Sequence, residues 1–582
     1  MLQINRQDPL IKQWLSHIDE CVGAVESIPP PTYHELMLFQ REGDRVTFEK
    51  KYFARRQRLT AYGLLHALYP EKESYLRILE NVIWEVLQEF TWCLPAHIDE
   101  AREFRKEEKE QPQYTIDLFA AETAFTLAEM IAMFDDLDDF LIMQIKQQIN
   151  LRVLNNFMEN GPYHWEKATH NWASVCAGSI GCAALYIMEE GPKRDHVLVR
   201  VFDAMDCYLS GIEEDGACTE GYSYWKYGFG YFVYFLALYE KKLGIPTTYW
   251  TNPKVKMLAT FQQKIYLAED HIVNFSDAQA KANPMLGFSH FLHKKIPEVH
   301  LPAIRLAETE IIDHCGRWAP AIRELLWYDS NKRGEDWPDG SWFLKDSQIA
   351  ISRFHINGKT FAFAAKGGHN DEPHNHLDIG QFILYANGET YCRDLGAGVY
   401  SKDYFNENRY TYLCNGAHGH SIPVINDAEQ EIGRQFHASI TSQHHTDTED
   451  LLAMDMTNAY PTCQLNQYIR TYRWKKGEQP RLYLKDSFQF KKDYNRIVER
   501  FVLSDLPYQR IENGLIMKEM HIYWPSFVDR VHMRRSVFTN HFGRKEFVNM
   551  LEIEIQKASK RCQLEFQFVW EESKDHVTEV EG

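Results

Sequence analysis

Apolar positions in the first half of the chain recur at intervals of three and four residues. Leu79, Val82, Ile83, Val86, Leu87 and Phe90 form one such stripe, the spacing of a helix that buries a single face. Phe125, Leu127, Ile131, Phe134, Leu137 and Leu141 continue in the same style with acidic residues between them. Further helices are predicted over about 172–190, 194–212, 226–243, 253–268 and 301–327. Prolines at 29–31, 95, 162, 192 and 253 punctuate the series. No short repeat of the solenoid kind is present. Many helices of similar length predict a bundle or an α/α toroid.

The texture changes at 329–341, a polar stretch rich in turn residues. Beyond it, alternation replaces the helical rhythm. Ile349 and Ile351, then Phe361 and Phe363, flank Asn357-Gly358, a two-residue hairpin signal. Phe382 and Leu384, then Tyr391, flank a second one, Asn387-Gly388. Leu551, Ile553 and Ile555 alternate with Glu, as do Leu564, Phe566 and Phe568 with Glu and Gln. The reading is a multidomain α+β chain: helices over 1–330, an antiparallel β-sandwich over 331–582, and chemistry where the two textures meet.

Composition narrows the partners. The 582 residues are 44% apolar and 25% charged, an ordinary globular balance. Aromatics reach 14%, which suits a large core and also sugar-stacking clefts. The net charge of −18 speaks against nucleic acid as partner and mildly against a heavily sulfated polyanion. The longest apolar run, near Tyr231–Tyr239, is about half of a membrane span. The N-terminal stretch shows no secretory signal. Eleven scattered cysteines without a CxxC pair fit reduced thiols. The expectation is a cytoplasmic protein that does not cross a membrane.

The densest polar cluster runs from Gly367 to Asp378, GGHNDEPHNHLD. His374, His376 and Asp378 stand at i, i+2, i+4, so an extended segment would project all three from one face. Asp394, within Arg393-Asp394-Leu395-Gly396, and His420, within His418-Gly419-His420, follow. Two His and one carboxylate suffice for a zinc site with an open position, and His376, Asp394 and His420 are the preferred set. Spacing alone does not separate this from polar cleft histidines without metal. In the helical half, HNWASVCAG (170–178) and DGACTEGYSYWKYG (215–228) place polar groups at the starts of apolar helices.

Three stretches together resemble the heparinase II/III-like polysaccharide lyases, a family that includes alginate and oligouronate lyases. They are HNWASVCAGSIGCAAL, DGACTEGYSYWKYG, and KGGHNDEPHNHLDIGQFILYANGETYCRDLGAGVY with the following NGAHGHSIPVIND, spanning about 170–427. The resemblance implies an incomplete α/α toroid followed by antiparallel β-sheets. It implies a carbon–oxygen lyase that cleaves beside a uronic acid by β-elimination, leaving a 4,5-unsaturated uronate. Asn171, with neighbouring His170, would neutralise the substrate carboxylate. His374 or Tyr224 would remove the C5 proton, according to the epimer, and Tyr224 would protonate the departing O4. The resemblance also matches His376, Asp394 and His420 to metal ligands, implying one zinc per chain with a mainly structural role. Asp378 is expected to support a histidine rather than bind metal. Tyr400, Arg409, Glu220, Trp172 and Trp225 are candidates for sugar contact, core packing being the other reading of the tryptophans. Lys366, Arg393, Arg409 and Arg434 could line the site with positive charge. The implied partner is an anionic uronate glycan such as heparin, heparan sulfate or hyaluronan, or alternatively alginate or another oligouronate. The setting expected is a bacterial cytoplasm, and dimers are frequent in the family.

Three other readings compete. An iron oxygenase would use His376, Asp378 and His420 as a facial triad. An α/α-barrel glycoside hydrolase would need paired carboxylates, for which Asp215 and Glu220 are the candidates. A sugar-binding protein could keep the fold without activity.

Overall fold

The computed structural model describes residues 4–23, 28–98, 112–372, 374–462 and 464–571. Two compact units emerge. One comprises residues 1–218, 223–260 and 283–336, the other 219–222, 261–282 and 337–582. The main division falls inside the polar stretch at 329–341, but it is not a single cut. Two segments from the helical part of the sequence, 219–222 and 261–282, belong to the sheet unit.

The first unit is helical. Helices at Glu73–Leu87, Leu118–Met133 and Asp139–Ile149 carry most of the predicted stripes, but Phe90, Phe134 and Leu137 fall outside them and Phe90 is exposed. Asn171–Ile187 and Pro192–Ser210 form a tight pair, and Gly230–Leu243 follows a π-turn at Trp225–Phe229. Asn171–Ile187 is buried over most of its circumference, which its Ala, Gly, Ser and Cys content permits. A Cβ on Gly178 would come within 2.9 Å of the Tyr231 carbonyl oxygen, so glycine lets these helices approach closely. The predicted helix at 253–268 is shorter. Pro253–Ala259 and Phe261–Ile265 are helical, and Tyr266–Ala268 is already a strand. Over 301–327 only Ile304–Leu306 and Trp318–Trp327 are helical. Among the described residues no helix is long and apolar enough to cross a membrane.

The second unit is a β-sandwich of antiparallel strands. Its nine-stranded sheet runs in the order Arg530–Thr539, Lys545–Ala558, Asn495–Ser504, Glu389–Cys392, Phe382–Ala386, Lys359–Lys366, Ile349–Ile356, Gly340–Leu344, with Val424–Ile425 paired on Asn495–Ser504. The eight-stranded sheet runs from Ser439–His445 through Glu449–Asp455, Leu465–Lys475, Arg481–Phe490, Arg561–Trp570, Met520–Tyr523 and Gly514–Met517 to Tyr508–Ile511. Inward-facing rings fill the space between the sheets. Phe363 lies 5.5 Å from Tyr472, Phe382 5.5 Å from Phe568, and Phe501 5.0 Å from Phe566. Burying such rings on alternate positions is what selects the strand register.

Both hairpin signals are realised. Asn357 and Gly358 adopt φ of 50° and 72°, and Asn387 and Gly388 adopt 46° and 91°. Two consecutive left-handed residues match the twist of the flanking strands. Gly358 has nothing within 4 Å of where a Cβ would stand, whereas a Cβ on Gly396 (φ 61°) would stand 2.1 Å from the Ala278 carbonyl oxygen. Gly358→Ala is therefore expected to cost only the backbone term, about 1 kcal/mol. Gly396→Ala should cost several times more. Urea midpoints of the two variants check this, and equal shifts would refute the distinction.

Candidate active site and metal centre

A single buried carboxylate organises the sheet unit's polar centre. Asp277 lies in the transferred segment 261–282, and its side chain has no solvent exposure. Several contacts stitch that segment in. Tyr266 stacks on Trp337 at 4.1 Å, Arg353 donates to the Gln263 carbonyl at 3.2 Å, and Asn274 Nδ2 donates to the Asp394 carbonyl at 3.2 Å. Asp277 then accepts from His376 Nε2 (3.0 Å) and Tyr404 Oη (2.5 Å) on Oδ1, and from His374 Nδ1 (2.8 Å) and Arg409 Nη2 (3.0 Å) on Oδ2. Burial pushes its pKa up, but the hydrogen bonds from both histidines and the charge of Arg409 outweigh this and hold it well below the usual carboxylate range. The same carboxylate, with burial acting first, pushes the Tyr404 phenol up.

An ionised Asp277 fixes the tautomers of both rings. A neutral His374 that donates Nδ1–H to this carboxylate carries its lone pair on Nε2. His374 is partly exposed, its side chain at 23%, and its backbone sits in the left-handed region at φ 54°. That conformation is unfavourable for a large side chain and is held by the bond to Asp277. Tyr400 stacks beside it at 6.4 Å with its hydroxyl 3.5 Å from Asp277 Oδ2. Glu220, in the other transferred segment, is buried. Desolvation pushes its pKa up, with His374 lowering and Asp277 raising it, and its Oε2 has no partner among the described residues.

His376 carries its proton on Nε2, which leaves Nδ1 as a lone pair. His420 donates Nδ1–H to the Gly416 carbonyl at 2.9 Å, which leaves Nε2 as a lone pair. Burial lowers the His420 pKa and favours the neutral ring. Asp394 turns Oδ1 to its own loop, accepting from Gly396 N at 2.8 Å. His376 Nδ1, Asp394 Oδ2 and His420 Nε2 are buried without hydrogen-bond partners among the described residues. Ligand atoms of these three residues lie within 4.8 Å of one another, and His420 Nε2 is 3.6 Å from Asp394 Oδ2. Bonds of ~2.0–2.1 Å to a tetrahedral ion separate ligands by roughly 3.4 Å. Three buried, convergent lone pairs fit a divalent ion such as zinc, and two of them belong to rings whose far nitrogen donates a hydrogen bond that fixes the ring.

Other candidates are placed differently from expectation. The segment around His374 is a turn, not a strand, so the one-face argument does not apply. His374 and His376 meet through Asp277 instead. Asp378 hydrogen-bonds no histidine among the described residues. It pairs with buried Lys366 at 2.9 and 3.1 Å, so the facial triad of the oxygenase reading is not formed with it. Arg409 is buried and commits its donors to the Asn375 and Tyr404 carbonyls and to Asp277, which makes it a support rather than a sugar contact. Lys366 and Arg393, which pairs with Glu546, are likewise engaged, leaving no basic lining from these three. In the helical unit, exposed His170 caps the helix Asn171–Ile187, accepting from Trp172 N at 3.4 Å. Asn171 is buried, and Gly228 fits against it, with Ser174 Oγ donating to the Gly228 carbonyl at 2.8 Å. This brings the π-turn that follows half-buried Tyr224 to the start of that helix. Trp172 is half-buried, edge-on to His97 at 4.9 Å. Trp225 is a core residue instead of a stacking platform, fully buried with its indole N–H on the Leu258 carbonyl at 2.8 Å.

Sequence reasoning missed Asp277 and Tyr404. No local signal marks Asp277, since its partners are 97 to 132 positions away.

With this geometry in view, solved structures give the comparison. The fold is that of the heparan sulfate lyases. The heparan sulfate lyase HepC from Pedobacter heparinus aligns with a TM-score of 0.60, 14% identity, and coverage of 97% of this chain and 84% of that one. Heparinase III aligns at 0.61 with 12% identity, covering 97% and 86%. A Streptomyces coelicolor chondroitin AC lyase, solved with chondroitin sulphate, aligns at 0.54 with 9% identity, covering 98% and 81%. No family model and no curated protein matches the chain by sequence. The likeness therefore rests on the toroid-plus-sandwich architecture, the fold class read from the sequence.

Removing the central carboxylate leaves a buried guanidinium and two unfixed rings, so Asp277→Ala is expected to destabilise the sheet unit by about 3–5 kcal/mol. The pH dependence has a definite sign. A depressed carboxylate contributes fully above its unfolded value of ~3.9 and loses that contribution as pH falls toward its folded value. Urea unfolding at pH 7 and pH 3 should show the wild type losing more stability than Asp277→Asn. Equal losses would contradict the assignment.

Proposed function

We propose that the chain is a polysaccharide lyase that cleaves uronate-containing glycans by β-elimination. The observation that carries this reading is the Asp277–His374 pair. A partly exposed imidazole, its Nδ1–H held at 2.8 Å by a buried carboxylate, presents a basic Nε2. The architecture shared with heparan sulfate and chondroitin lyases supports the same reading.

The chemistry asks three things of the protein. The C5 proton lies α to a carboxylate and is barely acidic while that group carries full charge. Asn171, with His170, is assigned to hydrogen-bond the carboxylate and stabilise the enolate-like charge. His374 takes the C5 proton on Nε2. The C5–H electron pair becomes the C4–C5 double bond as the C4–O4 bond breaks, and Tyr224 gives O4 its proton. For the opposite epimer Tyr224 takes both proton transfers. Glu220 and Tyr400, which lie in the same unit as His374, are the candidate sugar contacts. When bound, zinc on His376, Asp394 and His420 would serve structurally, fixing the ligand loops. His376 then shares Asp277 with His374, so order at the ligand set extends to the base. Glycosaminoglycans of modest sulfation, such as heparan sulfate or hyaluronan fragments, agree with the net charge of −18. Alginate and other oligouronates are the alternative substrates.

The test is ultraviolet absorbance on a panel of defined glycosaminoglycan and alginate oligosaccharides. Zinc-loaded protein should generate the unsaturated uronate chromophore on at least one. A silent panel would remove the lyase reading and leave a sugar-binding protein or, if mass analysis finds saturated products, a hydrolase. His374→Ala and Tyr224→Phe should each lower turnover by about 10²–10⁴-fold, with circular dichroism showing the fold retained. Elemental analysis should find near one zinc per chain, lost in His420→Ala.

A further inference from the structure

The three candidate ligands come from three separate loops, and one buried amide joins two of them. Gln381 has no solvent exposure and follows His376 by five residues. Its Oε1 accepts from Ser421 N at 2.7 Å, and its Nε2 donates to the Arg393 carbonyl at 3.0 Å. Ser421 directly follows His420, and Arg393 directly precedes Asp394. One partner can only donate and the other can only accept, so the orientation of the amide is fixed by its surroundings. Val502 closes the ring from the far side. Its N–H donates to Ser421 Oγ at 2.9 Å, and its carbonyl accepts from Arg393 N at 3.0 Å. The backbone of Gln381 is itself fixed, its N–H on the Asp378 carbonyl at 2.9 Å and its carbonyl accepting from Lys366 N at 3.0 Å.

We propose that Gln381 is a positioning residue of the metal centre, its side-chain amide setting the separation of Asp394 and His420 while its backbone anchors the loop that carries His376. This rests on the reading of His376, Asp394 and His420 as a metal site. The amide touches no ligand atom. It acts one residue away from each of two ligands, on the backbone that aims them. Neither the Arg470 guanidinium nor the Tyr472 hydroxyl does the same. Arg470 grips the Gly380 and Ser421 carbonyls at 2.9 and 2.7 Å, and Tyr472 grips that of Gly380 at 2.5 Å, but neither reaches the Asp394 loop.

The test uses the full chain, zinc competition against a chromophoric chelator, and the visible spectrum of the cobalt-substituted protein. Gln381→Met keeps the volume and removes both hydrogen bonds. Gln381→Glu keeps the acceptor for Ser421 N–H and removes the donor to Arg393. Zinc affinity should fall about 10–100-fold in Gln381→Met and less in Gln381→Glu, with the cobalt bands moved in both. Thermal midpoints of the metal-free proteins separate positioning from packing. A lowered midpoint with wild-type zinc affinity and cobalt spectrum would overturn the proposal and make Gln381 a packing residue. If Gln381→Met does not fold, Gln381→Glu decides by the same two readouts. Wild-type protein that binds neither zinc nor cobalt would overturn the metal reading itself, and this proposal with it.

Discussion

One buried negative charge holds the polar centre of the sheet unit together. Asp277 is withdrawn from water, and such a charge is tolerated only when partners surround it. Here two imidazoles, a guanidinium and a phenol donate to its two oxygens. Each donor is fixed in return. The rings are held in single tautomers, Arg409 is anchored across the Asn375 and Tyr404 carbonyls, and His374 keeps a strained backbone. The arrangement is therefore cooperative: removing one member unsettles the protonation or orientation of the others.

The consequence is a division of labour between two histidines two residues apart. His376 and His374 share one carboxylate but expose opposite kinds of lone pair. His376 is buried and turns Nδ1 toward Asp394 and His420, while His374 is partly exposed with its lone pair on Nε2. The first suits a ligand, the second a base. Asp277 sets both roles through hydrogen bonds to different ring nitrogens, Nε2 in one case and Nδ1 in the other.

Much of this frame was legible in the sequence. Asn357-Gly358 and Asn387-Gly388 announced their hairpins because only left-handed pairs fit that turn. Leu551, Ile553, Ile555, Leu564, Phe566 and Phe568 announced a buried sheet face because strand periodicity is local. The grouping of His376, Asp394 and His420 was readable through family resemblance, and the structure brings their ligand atoms together. Asp277 was not readable. It is one acidic residue among 82, and nothing nearby shows that a segment in the helical stretch joins the sheets. Arg409 and Lys366 were misread for a related reason. A charge in a polar loop looks solvent-facing until its long-range partner is known. Trp225 shows the same blindness on the apolar side, where sequence cannot tell a platform from a core ring.

The sandwich core explains why the loops can be held so closely. Between its sheets lies a buried ionic group, with Arg470 against Asp486 at 2.7 Å and Glu499 at 3.1 Å. Burial and the neighbouring Asp486 charge push Glu499 well above the usual carboxylate range, against the pull of Arg470. Such a group is a poor source of stability compared with apolar packing. Its hydrogen bonds, however, are directional. The other guanidinium nitrogen, Nη1, holds the Gly380 and Ser421 carbonyls, and both lie on loops that carry site residues. A hydrophobic core could support those loops but could not fix their carbonyls in place. The polar group in the core thus trades stability for placement, and the placement is what three converging lone pairs require.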